Sequence, residues 1–331
     1  MDSQSTLHGC GHRLTLTAIL LAVFGGSVVS SQRPSAAQPS ITEYSLPSAG
    51  ALPFALLAGR DGKIWFTEGG VAKIGSITMN GVLTEYPVLS RESRPQGIAI
   101  DRRGNVWFTE YTANKIGKIT MAGVVTEYAV PRPNSGPSGI TLGPDGNLWF
   151  TEEIAGKIGR ISPEGHFSEF SLRPGDAAPH SITAGPDGNI WFAGGDGHDI
   201  GKMTVSGVLT EYAVSGTPSG IAVGPDRNLW FTEYFENKIG RITTSGALIE
   251  HPIPTANCRP IAIVRGPKNS MWFTEGEGFK IGQITMTGRF AESRVPYGPQ
   301  GIAVGPDGNL WFAEKNADRI GKLIVAPAHR R

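Results

Sequence analysis

Seven tryptophan residues, each followed by phenylalanine, divide most of this chain into copies of one repeat. The pairs begin at positions 65, 107, 149, 191, 230, 272 and 311, so the successive spacings are 42, 42, 42, 39, 42 and 39 residues. Repeats of roughly this length are typical of units that cannot bury a core alone and that pack against similar neighbours. The spacing therefore predicts a repeat architecture of seven units.

Each copy contains four short β-prone runs separated by turn sequences. In the third copy the runs are 137–142, 148–152, 157–162 and 167–172. The first two are joined by Gly-Pro-Asp-Gly-Asn, in which Pro presets φ, Asp bonds its own backbone and Gly tolerates a positive φ. The 45 Gly and 24 Pro of the chain agree with many tight turns. Because the runs are too short for useful helices, each copy is predicted to be a four-stranded antiparallel unit.

A single four-stranded unit cannot cover both of its faces, but radially packed copies can. The sequence therefore predicts an all-β fold, a seven-bladed β-propeller of four-stranded antiparallel blades. In this fold the Trp-Phe pair has a structural role, with one ring packed between neighbouring blades. A residue type that recurs in all seven copies does not mark a unique site.

The two ends of the chain are predicted to close the ring together. The fourth-strand pattern, seen for example at Val124-Val-Thr-Glu-Tyr128, also occurs ahead of the first complete repeat, at Ile41-Thr-Glu-Tyr44. After the seventh Trp-Phe pair only one further strand, 319–325, remains. We therefore expect residues 41–46 to complete the blade formed by residues 299–325, which removes an exposed sheet edge.

Residues 1–37 are predicted to be a signal peptide and leader, residues 38–326 a single propeller, and residues 327–331 a C-terminal tail. Arg13 precedes an apolar run over 14–24, and small residues follow through Ser31, with cleavage expected after Ser30, Ser31 or Ala37. The alternative, an uncleaved anchor, needs a run closer to ~20 residues. We expect a secreted or periplasmic protein with no membrane attachment after processing. Only Cys258 then remains, so no intrachain disulfide is expected.

Charge and motifs exclude several classes of function. With 30 Lys and Arg against 29 Asp and Glu, the chain lacks the basic excess of a nucleic-acid-binding protein, and we expect a monomer with no nucleic-acid partner. Nucleophile-elbow, zincin, Walker and dinucleotide motifs are absent.

The aspartates of the Pro-Asp turns are expected to form turns rather than calcium loops; they are Asp145, Asp187, Asp226 and Asp307. Glutamates three residues after Trp are expected to pair across strands with Lys or Arg of the Lys-Ile-Gly strand; they are Glu68, Glu110, Glu152, Glu233, Glu275 and Glu314.

The positions that vary between repeats are the candidate functional ones. One such column follows the proline that opens each innermost strand: Phe54, Gln96, Ser138, His180, Ser219, Ile261 and Gln300. These residues are predicted to form a ring at one mouth of the central channel, although an unconstrained surface would vary in the same way. His180 is the only titratable member and is the candidate catalytic residue. Gln96, Ser138, Ser219 and Gln300 are candidate ligand-binding residues for a small molecule or cyclic peptide, and no metal ligand is assigned.

The recurring Gly-Pro-Asp-Gly-Asn-Leu-Trp-Phe-Thr-Glu, followed by Asn-Lys-Ile-Gly-Arg-Ile and Gly-x-x-x-Glu-Tyr, resembles the streptogramin B lyase (virginiamycin B lyase) family over residues 41–325. The resemblance implies a seven-bladed propeller. It also implies a role in antibiotic resistance, in which a cyclic depsipeptide is opened at its ester bond by elimination, without water. A histidine base and Mg²⁺ are the catalytic groups that the resemblance implies.

The chain departs from this family at the residues that would carry the reaction. The family has Arg-Pro-His in the sixth blade and Glu-Pro-His in the seventh, where this chain has Arg259-Pro-Ile261 and Gly298-Pro-Gln300. Glu314 lies near a further family glutamate but also matches the ordinary repeat. Three functions stay open: a ligand-binding or catalytically weak relative, an active carbon–oxygen lyase with His180 as a relocated base, and a lactonase-like metal-dependent hydrolase.

Overall fold

The computed structural model describes residues 40–173 and 178–325, and within these ranges it is an all-β ring of seven four-stranded sheets. This architecture confirms the predicted propeller. The predicted signal peptide and C-terminal tail lie outside the described residues. Among the described residues, no helix is long and apolar enough to cross a membrane.

The blades are numbered in chain order, and four strands form each one. Blades 1 to 3 consist of β2 (Pro53–Ala58), β3 (Ile64–Glu68), β4 (Lys73–Ile77) and β5 (Leu83–Pro87); β6 (Pro95–Ile100), β7 (Val106–Glu110), β8 (Lys115–Ile119) and β9 (Val125–Ala129); and β10 (Pro137–Leu142), β11 (Leu148–Glu152), β12 (Lys157–Ile161) and β13 (Phe167–Ser171). Blades 4 and 5 consist of β14 (Ile182–Ala184), β15 (Ile190–Ala193), β16 (Asp199–Met203) and β17 (Leu209–Ala213); and β18 (Pro218–Val223), β19 (Leu229–Glu233), β20 (Lys238–Ile242) and β21 (Leu248–Pro252). Blades 6 and 7 consist of β22 (Pro260–Gly266), β23 (Ser270–Glu275), β24 (Lys280–Thr285) and β25 (Phe290–Arg294); and β26 (Pro299–Val304), β27 (Leu310–Glu314), β28 (Arg319–Leu323) and β1 (Ile41–Ser45). Two short 3-10 turns are Gly195–Gly197 and Lys315–Ala317.

The turn aspartates also anchor the tryptophans. In blade 3 the Asp145 carboxylate accepts hydrogen bonds from the Asn147 backbone N–H at 3.2 Å and from the Trp149 indole N–H at 3.0 Å. Corresponding indole bonds reach Asp187, Asp226 and Asp307, which confirms the turn role predicted for these residues. In blade 6 the indole of Trp272 donates instead to the carbonyl of Pro267, at 3.1 Å.

Each tryptophan packs between two blades, as predicted. Trp65 is buried in the same apolar cluster as Phe108 of the next blade, and its ring stacks on Tyr86 of its own blade at 5.3 Å. The pattern passes around the ring until Trp311 of the last blade packs with Phe66 of the first. A continuous belt of buried rings therefore joins all seven blades.

The first strand completes the last blade. Strand β1 pairs antiparallel with β28, with Ile41 opposite Leu323 and Ser45 opposite Arg319. Tyr44 stacks on Trp311 at 5.6 Å, and the Arg319 guanidinium lies 3.2 Å from the Glu43 carboxylate. The predicted ring closure is confirmed, and the edge of the last blade is covered.

The partner predicted for the six repeated glutamates is wrong for five of them. Glu110 lies opposite Lys115 in the sheet, but the Lys115 ammonium pairs with Glu127 of the fourth strand at 2.8 Å. The corresponding lysines of blades 1, 3, 5 and 6 also pair with the glutamate of the fourth strand. That glutamate is closer to water than the buried glutamate of the second strand. Only Glu233 comes within ion-pair distance of its lysine, at 3.9 Å.

Burial makes these glutamates harder to ionise than exposed ones. Burial, then the charge of Glu127, raises the pKa of Glu110 to about 8. Burial and a neighbouring carboxylate likewise raise the pKa values of Glu68, Glu233 and Glu314 to about 8, and those of Glu152 and Glu275 to about 7. Hydrogen bonding of Lys115 and Ser90 outweighs burial at Glu127 and lowers its pKa. A neutral inner carboxyl thus lies beside an ionised outer one.

Deleting residues 38–47 should destabilise the propeller, because it exposes the edge of β28 and removes the ring that covers Trp311. The expected loss is about 3 kcal/mol or more, which corresponds to a fall in Tm of roughly 6–12 °C. Thermal denaturation followed by circular dichroism measures it. A chain that starts at residue 38 and retains β1 is the matched control, and equal Tm values for the two chains would contradict the closure.

Stability should fall as pH rises from about 5 to about 8. A buried glutamate whose folded pKa lies above its unfolded value of about 4.3 keeps its stabilising effect below the lower value, and that effect is lost as pH rises through the higher one. Glu110→Gln, which is neutral at every pH, should flatten this slope in urea denaturation curves. Exposed Glu164→Gln is the control, and an unchanged slope in the Glu110 variant would refute the assignment.

Candidate functional site

The seven residues predicted to form a ring line one cavity. Its volume is about 400 Å³, and the seven positions all contribute to its wall: Phe54, Gln96, Ser138, His180, Ser219, Ile261 and Gln300. In six of the blades the strand register shifts directly after the opening proline, as between Pro137 and Ile140. This irregularity falls on the column residue of each of those blades.

A glycine after the column residue lets the innermost strands approach closely. A Cβ on Gly97 would lie 2.2 Å from the carbonyl oxygen of Ser138, and one on Gly139 would lie 2.4 Å from that of His180. Gly220 and Gly301 face the next blade in the same way. The recurring Gly of this strand is therefore required by contact between blades.

Threonine side chains fix the backbone of the column. The hydroxyl of Thr151 donates to the carbonyl of His180 in the next blade at 2.8 Å and accepts from the N–H of Gly139 in its own blade. The same pair of bonds is made by Thr67, Thr109, Thr232 and Thr274. Alanine replaces this threonine in blades 4 and 7. The column backbone is thus held by the neighbouring blade, independently of the column side chain.

The cavity wall is polar on one part and apolar on another. The Ser138 hydroxyl donates to the Gln96 side-chain oxygen at 3.1 Å, while Phe54 and Ile261 contribute hydrocarbon surface. Ser219 and Gln300 lie on the same wall. The structure brings the four candidate ligand-binding residues to one cavity, and their binding role stays a prediction.

His180 lies beside a carboxylate that the sequence analysis missed. Its Nδ1 is 3.5 Å from the Glu153 carboxylate, and its side chain is 38% exposed. The Tyr111 hydroxyl donates to the other oxygen of Glu153 at 3.4 Å. Burial opposes ionisation of Glu153, but bonding and charge from His180, with further bonds from Ser138 and Tyr111, lower its pKa. An imidazole held by an ionised carboxylate can act as a general base.

Glu153 and Tyr111 belong to a second varied column, which directly follows the repeated glutamate or its counterpart. Its members are Gly69, Tyr111, Glu153, Gly195, Tyr234, Gly276 and Lys315. The sequence carries a signal for it, because this varied column directly follows a glutamate that recurs in six of the seven blades. The column after the opening prolines does not include these positions.

Blade 4 is modified where His180 lies. Gly194 replaces the buried glutamate, and a Cβ on it would lie only 1.6 Å from the carboxylate of Asp199, which replaces the lysine. Gly195 has φ +53°, and a Cβ on it would lie 2.9 Å from the His180 ring. The absence of a side chain at Gly195 therefore leaves room for the His180 imidazole, and its absence at Gly194 leaves room for the Asp199 carboxylate.

At the positions that carry catalysis in the family that the sequence resembles, this chain has side chains of different chemistry. Ile261 and Gln300 line the cavity but cannot take up a proton at neutral pH. At Gly298 a Cβ would lie 2.5 Å from the carbonyl oxygen of Gly276, so a glutamate would not fit without a backbone shift. Glu314 is fully buried, and burial, with its contact to Glu43, raises its pKa to about 8. An amide, a hydrocarbon and a buried neutral carboxyl do not fit Mg²⁺, which prefers ionised and water oxygens.

Comparison with known proteins agrees with the repeat motif and the ring. The model of the virginiamycin B lyase family matches residues 39–297 and 213–328. A streptogramin B lyase structure is 39% identical, with a TM-score of 0.84 over 86% of this chain and 97% of that chain. A catalytically inactive His-to-Ala variant of the virginiamycin B lyase of Staphylococcus aureus, solved with quinupristin, is also 39% identical, with a TM-score of 0.83 over 87% and 100% of the two chains.

A more distant match shows the fold alone. A putative gluconolactonase is 16% identical, with a TM-score of 0.54 over 71% of this chain and 90% of that chain. Within residues 40–173 and 178–325, no group of three or more His, Cys, Asp or Glu side chains is placed to hold a metal ion. None of the curated protein sequences matches this chain significantly.

The family match covers nearly all of the propeller and agrees with both the repeat sequence and the seven blades. On these grounds the chain belongs to the virginiamycin B lyase family.

Proposed function

We propose that the chain binds a cyclic depsipeptide of the streptogramin B type in the central cavity and turns it over weakly or not at all. The observation that carries this proposal is the convergence of the seven varied residues on one cavity of about 400 Å³. Repeat positions that face solvent singly would not share a wall. Ligand sites of about this volume, apolar with a few placed polar groups, suit small molecules.

The chemistry of the wall suits such a ligand. Phe54 and Ile261 offer apolar surface for aromatic and aliphatic side chains, and Gln96 and Ser138 offer both donors and acceptors for peptide amides. The lyase variant solved with quinupristin shows that a relative of the same fold was crystallised with such a compound. The ligand class is extended to this chain by that likeness.

Weak turnover is expected because the family positions lack a base. Elimination requires a base that takes a proton from a carbon beside a carbonyl group, and general-base catalysis contributes about 10²- to 10⁴-fold. Ile261 and Gln300 supply none. A propeller that keeps the cavity but not the base is expected to bind its ligand without rapid ring opening.

A second candidate function is that of a lyase with His180 as the base, which the His180–Glu153 contact favours. The neutral imidazole would take the proton from the carbon beside the carbonyl. The electrons of that C–H bond form a C=C double bond, and the C–O bond one carbon further breaks. The ester oxygen leaves as a carboxylate, and Glu153 stabilises the imidazolium that forms.

Quinupristin distinguishes the two functions. Calorimetry should show binding to the wild-type protein, and mass spectrometry should show ring opening at least ~100-fold slower than by a lyase of the family assayed alongside. His180→Ala should leave that slow rate unchanged if the first function holds, and His166→Ala, at an exposed histidine of another turn, is the control. Absence of binding refutes the proposal. Efficient opening that His180→Ala abolishes establishes the second function.

Restoring the family histidines tests the base deficit directly. Ile261→His with Gln300→His should raise ring opening above the wild-type rate by about tenfold or more. Adding Gly298→Glu should help only if the chain accommodates it beside the Gly276 carbonyl, which thermal denaturation reports. An unchanged rate in a well-folded double variant with intact binding would show that more than the base is missing.

We also propose that the protein is exported, which the basic, apolar and small-residue order of the first 37 residues supports. The purified cellular form should begin after residue 30 and be found outside the cytoplasm. Intact-mass measurement and cell fractionation test this, and a chain without residues 14–24 is the control. A cellular protein that retains Met1 would contradict export.

A further inference from the structure

A second cavity opens beside the central one, at the junction of blades 7, 1 and 2. Its volume is about 370 Å³, and it shares Phe54, Arg94 and Gln96 with the wall of the central cavity. A ligand in the central cavity can therefore extend into this notch. The second-column residue of blade 1 here is Gly69, which contributes no side chain.

Two cations line the notch. Arg94 directly precedes the first strand of blade 2. Lys315 directly follows Glu314, the last residue of β27 in blade 7. Each lies over an aromatic ring, the Arg94 guanidinium 5.3 Å from the Tyr111 ring and the Lys315 ammonium 5.7 Å from the Phe54 ring. Burial, then the charge of Arg94, lowers the pKa of Lys315. The two charges therefore act on each other across the notch.

Neither cation has an acidic partner in the part of the chain that the structure describes. No carboxylate lies within 4 Å of the Arg94 or Lys315 side chain, although the exposed Glu92 contributes to the wall of the notch. Arg259, at the same position of blade 6 and also stacked on aromatic rings, lies 3.6 Å from Glu277. Two adjacent cations without a counter-ion favour an anion from outside the chain.

We propose that Arg94 and Lys315 form a subsite for a carboxylate group, so that the preferred ligand is a peptide acid whose body lies in the central cavity. The guanidinium can donate two parallel hydrogen bonds to one carboxylate, and the ammonium supplies a second positive charge. This subsite rests on the proposed function for the body of the ligand. The anion-binding pair itself is tested separately below.

A carboxylate fits the notch better than a phosphate does. Phosphate sites commonly add backbone N–H donors to their cations. Here the N–H groups of Gly69 and Gly70 already bond to the carbonyls of Leu52 and Ala51, at 3.3 and 3.0 Å. The notch thus offers side-chain donors for a single planar anion.

The consequence concerns which form of a depsipeptide this chain prefers. A closed ester ring carries no carboxylate at the ester, whereas ring opening by elimination or by hydrolysis leaves one. The subsite therefore favours the opened peptide, which is the product of the family reaction rather than its substrate. A protein that retains a ring-opened acid is consistent with weak turnover.

The first experiment compares two linear ligands that differ only in that one carries a carboxylate where the other carries a neutral primary amide. Alkaline hydrolysis of quinupristin breaks the acyl C–O bond and gives a hydroxy acid, and opening with ammonia gives the corresponding primary amide. By calorimetry the acid should bind at least about tenfold more tightly than the amide. Arg94→Gln with Lys315→Met should remove the difference, and Arg259→Gln should retain it. Equal affinities in the wild-type protein, or a preference that survives the double variant, overturns the subsite.

The second experiment does not depend on the depsipeptide. Acetylation of Lys315 by a lysine-selective reagent is followed by mass spectrometry, with exposed Lys268 as the internal reference. N-acetylphenylalanine should slow the reaction at Lys315 several-fold, and N-acetylphenylalaninamide should not. No protection by the acid overturns the subsite, and stronger protection by inorganic phosphate overturns its assignment to a carboxylate. If quinupristin and both linear ligands fail to bind while the acid still protects Lys315, the proposed function fails and the subsite stands.

Discussion

The structure depends on one contact that is repeated around the ring, the tryptophan of one blade packed against the phenylalanine of the next. A single blade cannot cover both of its faces, and burial of a large ring between two blades stabilises their contact. The aspartate of the preceding turn fixes the indole in most blades, for example Asp101 for Trp107. The turn aspartate therefore also positions the tryptophan that packs against the next blade. This coupling explains why the two sequence signals recur together.

Side chains at the candidate site can vary because contacts between blades hold the backbone beneath them. The threonine bonds and the inner glycines hold the column backbone by contacts between blades, so column side chains differ without a change of main-chain course. The repeat itself departs from its pattern in blade 4, the blade of His180. There Gly194 and Asp199 replace the usual glutamate and lysine. The residues of the second candidate function and of the proposed carboxylate subsite come from blades 2, 3, 4 and 7, which supply Arg94, Glu153, His180 and Lys315.

Sequence alone was sufficient for the number of blades, the ring closure and the position of the varied column. The period gave the blades, the unpaired Ile41-Thr-Glu-Tyr44 run predicted the pairing with β28, and the column after the prolines predicted the ring around the cavity. It was insufficient where a contact depends on side-chain reach. Lys115 lies opposite Glu110 yet bonds Glu127, and His180 meets Glu153 from another blade. The partner of a side chain depends on burial and on distances between blades. The spacing of residues along one chain specifies neither.

Closure by β1 also constrains the order in which the molecule can form. Ile41 pairs with Leu323, so the last blade is complete only when almost the whole chain is present. Until then β1 and the open face of blade 1 have no partner, and both are surfaces prone to pairing with other chains. Contacts so distant in sequence form slowly, because the loop must be closed before they stabilise anything. The ring should therefore lock in a final, cooperative step, and a truncated or interrupted chain should be more prone to aggregation than its length suggests.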